Sequence, residues 1–132
     1  MKVFVDSNIY ISLLNKNDTT HKNALVILDE LEKEEAELFI SNYILSECLT
    51  LISQRFGHIN AIQFRDDIYK GNTRVLITDK EIEDLSWDIF KNCKDKNISY
   101  VDSTNIAFCK KYLLDELISL DKSLINLYKN LS

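Results

Sequence analysis

A chain of 132 residues with no proline and only two glycines, Gly57 and Gly71, has little with which to build tight turns. Folds made of many short strands depend on Gly and Pro at their connections, so an all-β sandwich or barrel is disfavoured. Long helices joined by short polar segments fit the punctuation better. Apolar residues make up 45% of the chain and charged ones 28%, which is enough to build one core and excludes a disordered polymer. No apolar run approaches the ~20 residues of a membrane helix. The N-terminus, Met1 to Asp6, has one positive charge and three apolar residues before an acid, too few for the apolar stretch of a signal peptide, so the expected location is the cytoplasm.

Lys2–Val5 is a short β-branched run ending in Asp6, and Glu37–Ile40, Arg74–Ile77 and Glu116–Leu120 are similar runs. These predict four strands. Between them apolar residues recur at three- and four-residue spacing, as in Ala24, Ile27, Leu28 and Leu31, or Ile82, Leu85, Ile89 and Phe90, which predicts helices. Ser41 or Asn42 caps a helix to about Phe56 with Gly57 past its end, and a second runs from about His58 to Lys70 before Gly71. Thr78 with Glu81 predicts a capping box for the next. Alternating strands and helices predict an α/β fold, a mainly parallel sheet of four to five strands wrapped by helices, in a single domain over residues 1–132. Cys48, Cys93 and Cys109 are odd in number, widely spaced and in helical contexts, so they are expected as reduced core residues. His21 and His58 lie on different helical segments and are expected to be surface or packing residues.

The net charge of −5 reflects 21 acids, most of them on polar helix faces. Four depart from that pattern: Asp6 closes the first strand, Glu47 interrupts the run Tyr43 to Leu49, Asp102 lies within Ile98 to Ser103, and Asp121 follows the fourth strand. Taken singly, Asp6 and Asp121 read equally as turn or helix caps, Asp102 as a first-turn acid, and Glu47 as half of an ion pair. Taken together they are more informative. Open α/β sheets bind ligands beyond the carboxyl ends of their strands, where Asp6 and Asp121 emerge. Two carboxylates ~5 Å apart repel by about 3 kcal/mol at an effective dielectric near 20, and a hard divalent cation removes that cost. An all-oxygen site suits Mg²⁺ or Mn²⁺, and no Cys/His spacing favours zinc.

The ordered set Val5-Asp6-Ser7-Asn8, Ser46-Glu47, Tyr100-Val101-Asp102 and Ser119-Leu120-Asp121-Lys122-Ser123-Leu124 resembles the PIN-domain ribonucleases, and within them the VapC-like toxins of prokaryotic toxin–antitoxin pairs. The resemblance spans essentially the whole chain. It implies that Asp6, Glu47, Asp102 and Asp121 bind Mg²⁺ or Mn²⁺ and catalyse RNA phosphodiester hydrolysis, with Asn8 and Ser119 holding and orienting them. It also implies an antitoxin partner and a homodimer. Leu124 stands where the family often has an aromatic, and Leu124 to Tyr128 reads as a helix where many members run on into a further strand.

Metal-assisted hydrolysis needs a nucleophilic water and neutralised phosphate charge, and no Ser, Cys or His nucleophile. Lys110, Lys111 and Lys122 follow the acid-bearing segments and are candidate RNA phosphate contacts, or plain solvated lysines. Tyr10, Leu13, Leu14, Leu25 and Leu28 supply either an apolar contact surface or core. The main alternative is a catalytically silent PIN-fold module that acts by binding RNA or protein. A haloacid-dehalogenase-type phosphatase needs a second acid two positions after Asp6, where this chain has Asn8, and a receiver domain needs an early acidic pair that is missing.

Overall fold

The computed structural model describes residues 1–131. Its elements run β1 (Lys2–Val5), α1 (Ser7–Leu14), α2 (His21–Lys33), β2 (Glu37–Ser41), α3 (Asn42–Phe56), α4 (His58–Lys70), β3 (Arg74–Leu76), α5 (Lys80–Asn92), α6 (Tyr100–Lys111), β4 (Glu116–Ile118) and α7 (Lys122–Leu131). The four strands form one parallel sheet in the order β3-β2-β1-β4.

Successive side chains of a strand point to opposite faces, yet Val3, Phe4 and Val5 are all fully buried, so β1 is covered on both faces. Phe4 stacks on Phe108 of α6 with ring centroids 6.1 Å apart. Phe4 pairs in register with Phe39 of β2 on one side and Leu117 of β4 on the other. Chain order departs from β1 toward β2 and β3, then returns to β4 on β1's other side. The sheet therefore has its topological switch point between β1 and β4, the place where such folds open a crevice at the carboxyl ends of the strands.

Three strand ends differ from expectation: β2 runs one residue further, to Ser41. β3 stops at Leu76. β4 stops at Ile118, because the next two residues turn their polar groups inward: Ser119 Oγ donates to Asp6, and the Leu120 N–H donates to Asn8 Oδ1 at 3.0 Å. The capping box expected of Thr78 and Glu81 does not form. Asp79 is the cap, accepting from the Ile82 N–H at 2.9 Å, while the Thr78 N–H and hydroxyl both donate to Asn42 Oδ1. Asn42 is thereby occupied, and Ser41 caps α3 by accepting from the Ile44 N–H at 3.2 Å. Only Gly57 separates α3 from α4, and its φ of +99° is a conformation that a side chain would strain.

All three cysteines are free thiols, but only Cys48 and Cys109 are core residues; Cys93 is half-buried because it is the C-cap of α5. Tyr10 is likewise core, whereas Leu14 and Leu25 stay 42% and 48% exposed.

Candidate active site

Asp6 follows the last residue of the central strand and is the N-cap of α1. Its N–H donates to the Ile118 carbonyl at 2.9 Å, and its Oδ1 accepts the Ser7 N–H at 2.8 Å. The side chain is 5% exposed, and every donor around it is accounted for by sequence order or by topology. Asp6 Oδ2 accepts from Ser119 Oγ at 2.7 Å and from Asn8 Nδ2 at 3.4 Å. Asn8 Nδ2 also donates to Ser119 Oγ at 2.9 Å, and Ser119 Oγ accepts the Asp121 N–H at 3.0 Å. One hydrogen-bonded chain thus ties the end of β1 to the loop after β4.

The other acids are anchored in a similar way. Asp102 lies in the first turn of α6 and forms a capping box: its Oδ2 accepts the Ser99 N–H at 3.0 Å while Ser99 Oγ accepts the Asp102 N–H. Asp121 Oδ1 accepts the N–H groups of Ser123 and Leu124 at 2.9 and 3.4 Å at the start of α7. The capping readings are therefore correct as geometry, but they use one oxygen of each acid and leave Asp102 Oδ1 and Asp121 Oδ2 without a hydrogen bond among the described residues. The N-termini of α1, α6 and α7 each carry one of these acids, and their helix dipoles offset part of the gathered negative charge.

Glu47, one turn into α3, accepts from Ser7 Oγ at 3.0 Å. Ser7 is thus a bridge between Asp6 and Glu47, donating its N–H to one and its hydroxyl to the other. Asn105 of α6 is fully buried and donates from Nδ2 to Asp6 Oδ1 at 3.3 Å. Sequence reasoning missed both residues. The readable signals were Ser7 next to Asp6, and the three-residue spacing that puts Asn105 on the helix face of Asp102.

The charges of the acids reach one another. Burial, reinforced by the charge of Glu47, holds the Asp6 carboxyl above the usual aspartate range despite hydrogen bonds from Ser119, Ser7 and Asn105. Burial also raises Asp102, with the charges of Asp6 and Asp121 adding to it. The same field reaches Cys48, whose thiol is pushed up by burial and then by Glu47 and Asp6, so it is no thiolate nucleophile. Burial alone pushes Cys109 up to about 12. An acid raised in the folded state binds protons more tightly there than when unfolded. Metal-free stability from Asp102 is therefore present at low pH and lost as pH rises from about 4 through the raised value. Asp102→Asn keeps an acceptor for the Ser99 N–H and removes the charge, so it is expected to raise the metal-free melting temperature at neutral pH. It also flattens that pH slope, as thermal unfolding across a pH series will measure.

The donor set fits a hard divalent cation: four carboxylates, no sulfur or imidazole, and two acids whose ionised form lacks compensation. Among the described residues no three acid, His or Cys side chains already stand together as a ligand cluster. A cation held here keeps part of its water shell, as Mg²⁺ does on one or two carboxylates.

The remaining candidates separate. Lys111 is not a free RNA contact: it pairs with Asp79 and, at 3.3 Å, with Glu81, joining the end of α6 to the start of α5. Burial of its stem beside two acids made that pairing favourable, and only Lys110 and Lys122 stay exposed. His21 donates from Nδ1 to the Ser12 carbonyl at 2.8 Å, and His58 Nδ1 lies 3.4 Å from Ser53 Oγ; neither touches the four acids.

A family model for the PIN domain matches residues 3–130. A VapC ribonuclease of Archaeoglobus fulgidus is 27% identical over 124 residues, 92% of this chain and 78% of that protein. The 23S rRNA-specific endonuclease VapC20 of Mycobacterium tuberculosis is 24% identical over 90% of this chain and 88% of that protein. The crystal structure of VapC20, a Sarcin-Ricin loop cleaving toxin, matches with a TM-score of 0.79 over 92% of each chain. VapBC2 from Rickettsia felis, bound to a DNA fragment from its promoter, matches at 0.64 with 16% identity over 96% of this chain and 93% of that one.

Proposed function

Because the chain belongs to the PIN-domain family, we propose that it is a metal-dependent endoribonuclease hydrolysing RNA phosphodiester bonds, the toxin of a VapBC-type toxin–antitoxin pair. What supports this reading is that Asp6 and Glu47 share Ser7 as hydrogen-bond donor, and that burial, with the charge of Glu47 on Asp6 and of Asp6 and Asp121 on Asp102, raises both aspartates. The ribonuclease and endonuclease names of the relatives support it.

A bound Mg²⁺ or Mn²⁺ supplies an activated water and neutralises charge on the phosphate. Asp6 and Asp102 would be the principal ligands, with Asp121 completing the site. Glu47, held by Ser7, would complete the site or act through bound water. Ser119, held in turn by Asn8, orients the Asp6 carboxylate, and loss of either is expected to weaken metal binding and activity 10- to 100-fold.

RNA phosphates are proposed to meet Lys110 and Lys122. Lys122→Ala is expected to weaken RNA binding and to lower the slope of log affinity against log salt by about 0.7–0.9, whereas Lys111→Ala leaves that slope unchanged and loosens the α5–α6 pair instead. The unit of function is proposed to be the single domain over residues 1–132, working in the cytoplasm with an antitoxin and as a homodimer. Leu14, Leu25 and Val26 offer exposed apolar surface on α1 and α2 for such contacts. No helix among the described residues is long and apolar enough to cross a membrane.

The test is incubation of purified protein with total RNA in Mn²⁺ or in chelator. Discrete cleavage with Mn²⁺ alone, absent in Asp6→Asn, supports an endoribonuclease. Tight RNA binding without cleavage under any metal condition favours the silent module instead.

A further inference from the structure

We propose that Asn105 is a positioning residue for Asp6, setting which carboxylate oxygen meets the cation; the proposal rests on the reading of the acids as a cation site. Asn105 is fully buried on α6, and its Oδ1 has no hydrogen-bond partner among the described residues. Leucine has the same number of side-chain heavy atoms and would strand no carbonyl there, so packing alone does not explain the amide. What the amide does make is the 3.3 Å bond from Nδ2 to Asp6 Oδ1.

An ionised carboxylate offers about four lone-pair positions. Asp6 is filled by the Ser7 N–H and Asn105 on Oδ1, and by Ser119 and Asn8 on Oδ2. A cation must displace one of these donors. Asn8 can leave, because its Nδ2 also donates to Ser119 and its Oδ1 accepts from Leu120. Asn105 Nδ2 has no second partner among the described residues, so it stays. Oδ1 is then held from the buried side while Oδ2 opens to the crevice. Because Asn105 and Asp102 share α6, the same bond also sets the spacing between the two principal acids, one at the end of β1 and one on the helix.

Calorimetric titration with Mn²⁺ alone, on wild type, Asn105→Leu and Asn105→Ala, tests this together with the metal-free melting temperature of each. Both variants are expected to bind Mn²⁺ 10- to 100-fold more weakly, roughly the loss seen when outer partners of ligands are removed. Asn105→Leu is expected to keep or raise the metal-free melting temperature, since the stranded carbonyl is gone. An unchanged Mn²⁺ affinity in a folded variant overturns the proposal whatever its stability. Asn105→Ala removes the same donor without added bulk and decides the case if Asn105→Leu does not fold; collapse of both makes Asn105 a structural residue and overturns it too. A wild type that takes up no Mn²⁺ fails one step earlier, removing the cation site itself.

Discussion

Asp6→Asn is expected to cut metal-dependent RNA cleavage by about 1,000-fold or more while the protein stays folded. A metal-held phosphate and water supply several kcal/mol of transition-state stabilisation, and each 1.36 kcal/mol is tenfold in rate, so losing about 4 kcal/mol gives that factor. The substitution keeps the shape of the side chain, keeps one acceptor oxygen for Ser119 or Ser7, and removes a charge that burial and Glu47 already disfavour. The new amide NH₂ faces donors on one side, so some stability is lost, but far less than activity. Single-turnover cleavage rates alongside thermal unfolding will separate the two, and a variant that loses both in proportion points to a structural acid.

Phe4→Ala carries the largest expected loss of stability. Phe4 is fully buried, lies on the central strand, and packs its ring against Phe108 of α6. Removing a buried phenyl ring costs about 3–5 kcal/mol, a large share of the 5–15 kcal/mol that holds a domain together. For a chain of this length the melting temperature should fall by roughly 10–15 °C. Because Phe4 stands two residues before Asp6, the remaining folded molecules should also bind Mn²⁺ less tightly than wild type. Differential scanning calorimetry gives the first number and a Mn²⁺ titration at low temperature the second.

The strands were legible because each is a short β-branched or apolar run bounded by polar residues, and β1 could be read almost residue by residue. The acids were legible because Asp6 and Asp121 close such runs and Glu47 interrupts an apolar helix face. The bond between Asp6 and Ser119 was not, since it spans 113 positions and only the parallel register of β1 with β4 brings the two together. Local chemistry misled where two good caps competed: Thr78 suits an N-cap, but Asn42 captured both its donors and passed the role to Asp79. Lys111 looked like a free cation because its partners, Asp79 and Glu81, lie on another helix. Asn105 hid in a run of buried polar residues, Ser103 to Asn105, where the usual rule that polar residues face water fails.

A divalent cation held by these acids would lie between β1, α6 and the loop after β4, and anomalous scattering from crystals grown in Mn²⁺ would reveal it. A peak within coordination distance of Asp6 and of at least one of Asp102 and Asp121 is expected, lost in Asp6→Asn. Saturating Mn²⁺ with no peak at these carboxylates, or with a peak elsewhere on the surface alone, contradicts it.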